Sequence, residues 1–160
     1  MSINLFEELP LGRSLSLLAK TYFGALTKRL EHLEVERYYS ILILIEDSEK
    51  GCTQQHICDN LKIDKVSMVR ILDYLIGKKY VKKIQNPNDR REYFVQLTPK
   101  AQKVMPVIHK EINALNAIAF KGLSKEKEKE FYKHICMIYK NVEDLPAHKI
   151  VVNYKKVNKK

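Results

Sequence analysis

With 160 residues, 45% of them hydrophobic, 30% charged and only five glycines, the chain fits one helix-rich globular domain and excludes a fibrous or disordered one. Its formal net charge of +10 points to a polyanionic partner, nucleic acid ahead of an anionic membrane surface. Residues 1–10 carry Glu7 and Glu8 where a signal peptide would be basic and then apolar, and no apolar run approaches the roughly 20 residues a bilayer demands, so a cytoplasmic protein is expected.

Leu11, Leu15, Leu18, Tyr22, Leu26, Leu30 and Leu33 recur at helical spacing and predict one helix of about six turns. A helix that long in so small a chain is expected to pack against a second chain. Residues 38–45 contain the unbroken apolar run Ile41-Leu42-Ile43-Leu44-Ile45. Propensity alone favours a buried strand there, whereas the charged residues before it and the elements after it favour a short, fully buried helix; periodicity does not separate the two.

Gly51-Cys52-Thr53 reads as a stop followed by an N-cap, opening a helix over 54–61 that buries Ile57, Cys58 and Leu61. Lys62-Ile63-Asp64 makes a turn, with Asp64 placed to cap a second helix over about 65–78. Two short helices joined by such a turn, the second one basic, form a helix-turn-helix. In the second helix Met68, Ile71, Leu72 and Leu75 make the core stripe, because Asp73 interrupts the rival stripe through Val66, Val69 and Ile76. Lys65, Val66, Ser67, Val69 and Arg70 then turn outward near the helix N-terminus, the end at which recognition helices meet base edges. Arg70 suits a bidentate contact to guanine, Ser67 a phosphate or base edge, and Val66 or Val69 a thymine methyl group.

A hairpin follows. Asn86-Pro87-Asn88-Asp89 is turn chemistry, and Tyr93, Val95 and Leu97 alternate as the inward positions of a half-buried strand. The partner strand, 80–85, carries Lys82 and Lys83, and the turn projects Arg90 and Arg91. Guanidinium groups on such a tip suit phosphate contact or insertion into a minor groove, which is how a DNA-binding wing works. Thr98 and Pro99 are an N-cap and a first-turn proline. They start a helix over 99–120 with Val104, Ile108, Ile112, Leu115 and Ile118 in register and a kink expected at Pro106. Gly122 ends that helix, and Ser124 caps a last one with Phe131, Ile135, Ile138 and Val142 as one stripe. Pro146 then stops the helix and Lys149, Lys155, Lys156, Lys159 and Lys160 form a basic tail, read as a solvated end ahead of a DNA-binding arm.

Between residues 53 and 100 stand ten basic and five acidic side chains, so half of the net charge lies in the helix-turn-helix and wing. That coincidence favours phosphate binding over a merely solvated face.

The order of elements resembles the multiple-antibiotic-resistance regulator (MarR) family of winged helix-turn-helix proteins over residues 11 to about 142. The specific pieces are Asp89-Arg90-Arg91 with Leu97-Thr98, similar to that family's D-x-R and L-T wing signature, and Asp64 to Arg70 with Asp73 and Leu75, similar to its recognition helix. The resemblance implies groove contacts for Ser67 and Arg70 and a wing arginine at Arg91 oriented by Asp89. Two positions depart from the pattern. Lys78-Lys79-Tyr80 stands where the family has Lys-Gly-Leu, which asks a positive φ of Lys79 at a cost of about 1 kcal/mol or more, and Ala101 replaces a glycine.

The expected fold is therefore mainly α with a small β-hairpin wing, a winged helix-turn-helix plus a helical dimerisation region. Its parts are a dimerisation helix in 1–34, the DNA-binding part in 35–100, further dimerisation helices in 101–142 and the basic tail in 143–160, all within a single compact domain. The resemblance further implies a homodimer on double-stranded DNA with a pseudo-palindromic operator and half-sites about one helical turn apart. It also implies regulation, usually repression of nearby genes, relieved by a small anionic or phenolic effector.

Other chemistry finds little support. There is no G-x-S-x-G, no glycine-rich phosphate loop and no H-E-x-x-H, so neither an enzyme nor a cofactor is expected. A metal site from Glu31, His32, Glu34 and Glu36 with His109 is disfavoured against ordinary solvated side chains. The three cysteines, Cys52, Cys58 and Cys136, leave a thiol-based redox regulator as an alternative, with Cys52 near a helix N-terminus, although buried inert thiols are the favoured reading. A winged-helix module binding protein or RNA is the other alternative. Tyr22, Phe23, Tyr38, Tyr39 and Phe120 could line an effector pocket, but they read first as core.

Overall fold

The computed structural model describes residues 9–35, 37–48, 51–86 and 92–146. The chain divides into two units, 1–116 and 117–160. In the first, helix α1 (Leu11–Arg29) is followed by a 3-10 turn (Glu31–Leu33), helix α2 (Tyr39–Glu46), strand β1 (Cys52–Thr53), helices α3 (Gln54–Leu61) and α4 (Lys65–Gly77), and strands β2 (Val81–Gln85) and β3 (Tyr93–Leu97). Helix α5 (Pro99–Ala119) follows, and α6 (Lys125–Val142) lies in the second unit. The protein is thus mostly helical with a small antiparallel sheet, and no described helix is long and apolar enough to cross a membrane.

α1 stops a turn earlier than its leucine spacing predicts. The backbone tightens to an i→i+3 bond from Leu33 N–H to the Leu30 carbonyl, and Glu34 then turns left-handed at φ 54°. A 3-10 turn keeps residues three apart on one side, so Leu30 and Leu33 preserve the apolar period after the α-helix has ended. The apolar run in α2 is helical: Tyr39, Ile41, Leu42 and Ile45 are buried, and Ile43 and Leu44 pack partly buried against the same core. A helix enclosed on nearly all sides needs no polar face, which is why its period is silent.

Local signals set most other boundaries. Thr53, Asp64 and Ser124 each accept a hydrogen bond from the backbone N–H three residues on, capping α3, α4 and α6. Thr98 does the same for Ala101 at 3.3 Å, with Pro99 in the first turn of α5, and that helix continues through Pro106. Gly122 turns left-handed at φ 92° before α6.

The sheet departs from a simple hairpin. β1 adds a third strand, in the order β1-β3-β2, pairing Cys52 with Val95 and Thr53 with Phe94, so Cys52 belongs to a strand and only Thr53 to the cap. β2 and β3 pair antiparallel from Val81 opposite Leu97 to Gln85 opposite Tyr93. Of the alternating positions on β3 only Val95 is buried; Leu97 is half-buried and Tyr93 is 48% exposed, because the core ends beneath Val95. The core itself runs from Leu26 to Leu115, inside the first unit, and includes Ile57, Cys58, Met68, Leu72, Leu75 and Ala101.

In the second unit Phe120, Phe131 and Tyr132 form a ring cluster with centroids 5.5–5.7 Å apart. No residue of α6 is buried; Phe131, Ile135 and Val142 are exposed, and so is Cys136, contrary to its expected burial.

Candidate nucleic-acid interface

α4 has its core side and its outer side arranged as its sequence predicts. Met68, Leu72 and Leu75 are fully buried and Ile71 packs partly buried beside them. On the other side Lys65 and Arg70 are exposed, and Val66 and Val69 are 65% and 42% exposed. Two open valines next to two cations leave apolar and charged surface side by side, the mixture that base edges and phosphates present together.

The helix start is fixed by Asp64, whose Oδ1 accepts the Ser67 N–H at 2.9 Å. Hydrogen bonds from the Ser67 side chain and backbone hold the Asp64 carboxyl below its ordinary value, so the cap is an anion at neutral pH, well placed against the helix dipole. Ser67 is half-buried and turned back toward this cap, leaving Lys65, Val66, Val69 and Arg70 as the outermost members of the set.

Both helices of the helix-turn-helix end on a left-handed lysine. After α3, Lys62 takes φ 52° and Ile63 N–H reaches the Cys58 carbonyl at 3.1 Å. After α4, Lys79 takes φ 60°, as the missing glycine implies. Tyr80 N–H bonds the Leu75 carbonyl and Lys79 N–H that of Ile76, which is the paired closure of a Schellman turn. Thr98 offsets part of the strain by donating its hydroxyl to the Lys79 carbonyl at 2.6 Å.

At the wing, Lys82 and Lys83 are exposed on β2. The strands are closed beyond Gln85 and Tyr93 by Asn86, whose backbone N–H donates to the Glu92 carbonyl at 2.9 Å and whose Nδ2 donates to Glu92 Oε2 at 2.7 Å. Asn86 is the one buried polar residue of the described set, a role its sequence context as a turn residue does not reveal. Asp89, Arg90 and Arg91 fall in 87–91, outside the described residues. Between the start of α3 and the wing strands runs a cleft of about 230 Å³, lined by Gln54, Gln55, Lys83 and Tyr93 among others. Of these, sequence reasoning singled out only Lys83 as part of the charged surface. Gln54 and Gln55 carry no charge signal, and Tyr93 was expected to face inward.

The remaining candidates do not converge. A second cleft of about 360 Å³ is lined by Glu46, Ser48, Gln96 and Gln102 with neighbouring apolar residues, and none of Tyr22, Phe23, Tyr38, Tyr39 or Phe120 lines either cleft. Tyr22 and Phe23 instead meet edge to face, as do Tyr38 and Tyr74. Among the described residues no group of three or more His, Cys, Asp or Glu could hold a metal ion. His109 Nε2 lies 2.6 Å from Glu46 Oε2, and Glu36 lies outside the described residues. Cys52 is buried, with Sγ 3.0 Å from Ser48 Oγ, and burial pushes the Cys58 thiol up from its ordinary value.

Comparison with known proteins agrees with this geometry. The family model described as MarR family matches residues 35–92, which run from before α2 through β2 and end just short of β3. A MarR transcriptional regulator from Methanosarcina mazei Go1 is 26% identical, with a TM-score of 0.75 over 82% of this chain and 94% of that one. A Listeria monocytogenes protein assigned to the MarR family of transcriptional regulators, complexed with 26mer DNA, is 22% identical with a TM-score of 0.77 over 85% and 91%. A mutant MarR from E. coli complexed with operator DNA is 22% identical with a TM-score of 0.74 over 86% and 99%. With residues 35–92 matched by the MarR family model and 82% of the chain matched in structure by a MarR transcriptional regulator, the chain is similar to the MarR family in its helix-turn-helix part and in its fold.

Proposed function

We propose that this protein is a sequence-specific regulator of transcription that binds double-stranded DNA as a homodimer, with residues 35–100 as the reading part and helices from 1–34 and 101–142 pairing the subunits. The observation that carries the reading is the outer side of α4: Lys65, Val66, Val69 and Arg70 stand exposed on the first two turns of a capped helix, beside a hairpin that bears Lys82. Arg70 reads a base edge, Val66 and Val69 meet thymine methyl groups, and Ser67 joins them at the groove wall. Lys65 and Lys82 neutralise phosphates, as do Arg90 and Arg91 on the wing, with Asp89 orienting Arg91. Two relatives of the same fold are complexed with DNA, which supports the duplex as ligand.

The dimer is supported by apolar surface that a lone chain leaves open. Leu11, Leu15, Leu18 and Phe23 are exposed on α1, and Phe131, Ile135 and Val142 on α6. Two-fold pairing implies a pseudo-palindromic operator. The mode of regulation is repression of nearby genes, relieved when a small anionic or phenolic ligand favours a spacing of the reading heads that no longer fits the operator.

The test is a footprint on the DNA flanking the protein's own gene, combined with affinity measured against salt. A discrete protected site whose log affinity falls linearly and steeply with log salt is expected. Equal affinity for unrelated duplexes, or a preference for single-stranded RNA, would overturn the reading.

A further inference from the structure

Two left-handed turns, one at each end of the path from α1 to the wing, are fastened to each other. Tyr74 donates its hydroxyl to the Glu34 carbonyl at 2.7 Å, and Tyr80 donates its own to the neighbouring Leu33 carbonyl. Lys78 Nζ sits 2.9 Å from Glu34 Oε1. All three donors come from the last turn of α4 or the turn after it, and both carbonyls belong to the segment that leads back to α1. Lys100 braces the donors in turn: its Nζ donates to the Lys78 carbonyl at 2.9 Å and lies 4.2 Å from the centre of the Tyr80 ring. Tyr38 stands edge-on to Tyr74 with centroids 5.4 Å apart. Lys78 holds the Glu34 carboxyl below its ordinary value, and burial pushes the Tyr80 phenol up, so at neutral pH the acid is a carboxylate and Tyr80 keeps its donor proton.

None of the fastening residues belongs to the outer set at the other end of α4. The buried stripe seats α4 on the reading head, whereas the fastening ties that head to the segment after α1. With a rise of about 1.5 Å per residue, the start of the helix lies roughly 20 Å from the fastening, so a tilt of about 10° there would carry Lys65 by about 3 Å. That displacement is close to one base-pair step of about 3.4 Å.

We propose that Tyr74, Lys78 and Tyr80 form a positioning clasp on the Leu33–Glu34 turn, which fixes the pitch of the recognition helix relative to α1 and thereby the half-site spacing the dimer accepts. The inference rests on the proposed DNA-binding function. It assigns to three residues that face no base the choice between operators of the same half-site sequence and different separation.

The experiment uses the full-length protein and the duplex it selects from a random library, remade with one base pair inserted or deleted between the half-sites. Wild type is expected to lose affinity on either change. In Tyr74→Phe/Tyr80→Phe, which keeps both rings and removes both hydroxyls, the ratio of affinities between selected and shifted duplexes is expected to fall about tenfold. Lys78→Met changes a half-buried side chain outside the core and keeps its aliphatic stem, so it reports even where the double variant fails to fold, with a fall of about threefold expected. A folded, dimeric double variant that keeps the wild-type ratio, or that weakens equally on every spacing, overturns the clasp. So does a wild-type ratio in Lys78→Met when the double variant is unfolded. Wild type that selects no duplex at all overturns the DNA-binding reading and the clasp with it, an outcome distinct from selection that the variants leave unchanged.

Discussion

Replacing Gly51 by alanine tests whether the join between β1 and the wing is as tight as its geometry states. Gly51 has φ +86°, and a Cβ built there would lie 2.6 Å from the Val95 carbonyl oxygen and 2.7 Å from Gln96 Cγ. The Gln96 side chain can swing away; the Val95 oxygen is strand backbone and can retreat only if β3 moves. A left-handed conformation costs a non-glycine residue about 1–2 kcal/mol, and forcing an atom into a filled space about 1–3 kcal/mol more. The sum, about 2–5 kcal/mol, is a large part of the roughly 5–15 kcal/mol that holds a domain folded. For a chain of this size it corresponds to a fall in melting temperature of about 5–20 °C, read by circular dichroism at fixed protein concentration. Gly77 provides the contrast. It ends α4 with nothing within 4 Å of its would-be Cβ, so Gly77→Ala should be neutral to stabilising by up to about 1 kcal/mol. If Gly51→Ala melts within about 2 °C of wild type, the account of β1 and β3 as a rigid join at the base of the wing is wrong.

Other expectations follow from the same structure. Arg70→Ala should cost about 1–3 kcal/mol of binding and relax preference at particular base pairs, whereas Lys82→Ala should weaken all sequences alike and reduce the salt slope by about one; base-by-base competition binding separates the two. Because the Asp64 carboxyl is depressed in the folded state, the stability it contributes is complete above its unfolded value near 3.8 and is lost as pH falls through the lowered one. Asp64→Asn keeps a capping acceptor without the titration, so its melting temperature should converge on wild type as the pH is lowered below about 4, whereas Asp64→Ala should be less stable at neutral pH; parallel melts across that range check both. Cys58 is buried with its thiol pushed up, so in Cys52→Ala/Cys136→Ala the remaining thiol should react with a disulfide reagent only as the protein unfolds, and rapid stoichiometric reaction in native buffer would refute its inertness.

What the sequence determined by itself is what a few consecutive residues decide among themselves. Thr53, Asp64, Thr98 and Ser124 reach only three residues ahead, so each cap is visible in a short window, and the buried stripe of α4 is legible because Asp73 leaves one apolar face and not two. The left-handed Lys79 was legible only through the resemblance, whose pattern has a glycine at that position. The features that needed the tertiary structure are contacts between residues far apart in the chain. β1 is two residues long and exists because Cys52 and Thr53 meet Val95 and Phe94, more than forty positions on. The Glu34 turn is held by Tyr74, Lys78 and Tyr80, and neither end carries a pattern that names the other. Tyr93 kept a strand's alternation but lies beyond the edge of the core, and Leu33 kept a helix's spacing after the helix had tightened into a 3-10 turn. Periodicity records which residues share a side; only packing decides how far the core extends beneath that side and where the backbone turns away from it.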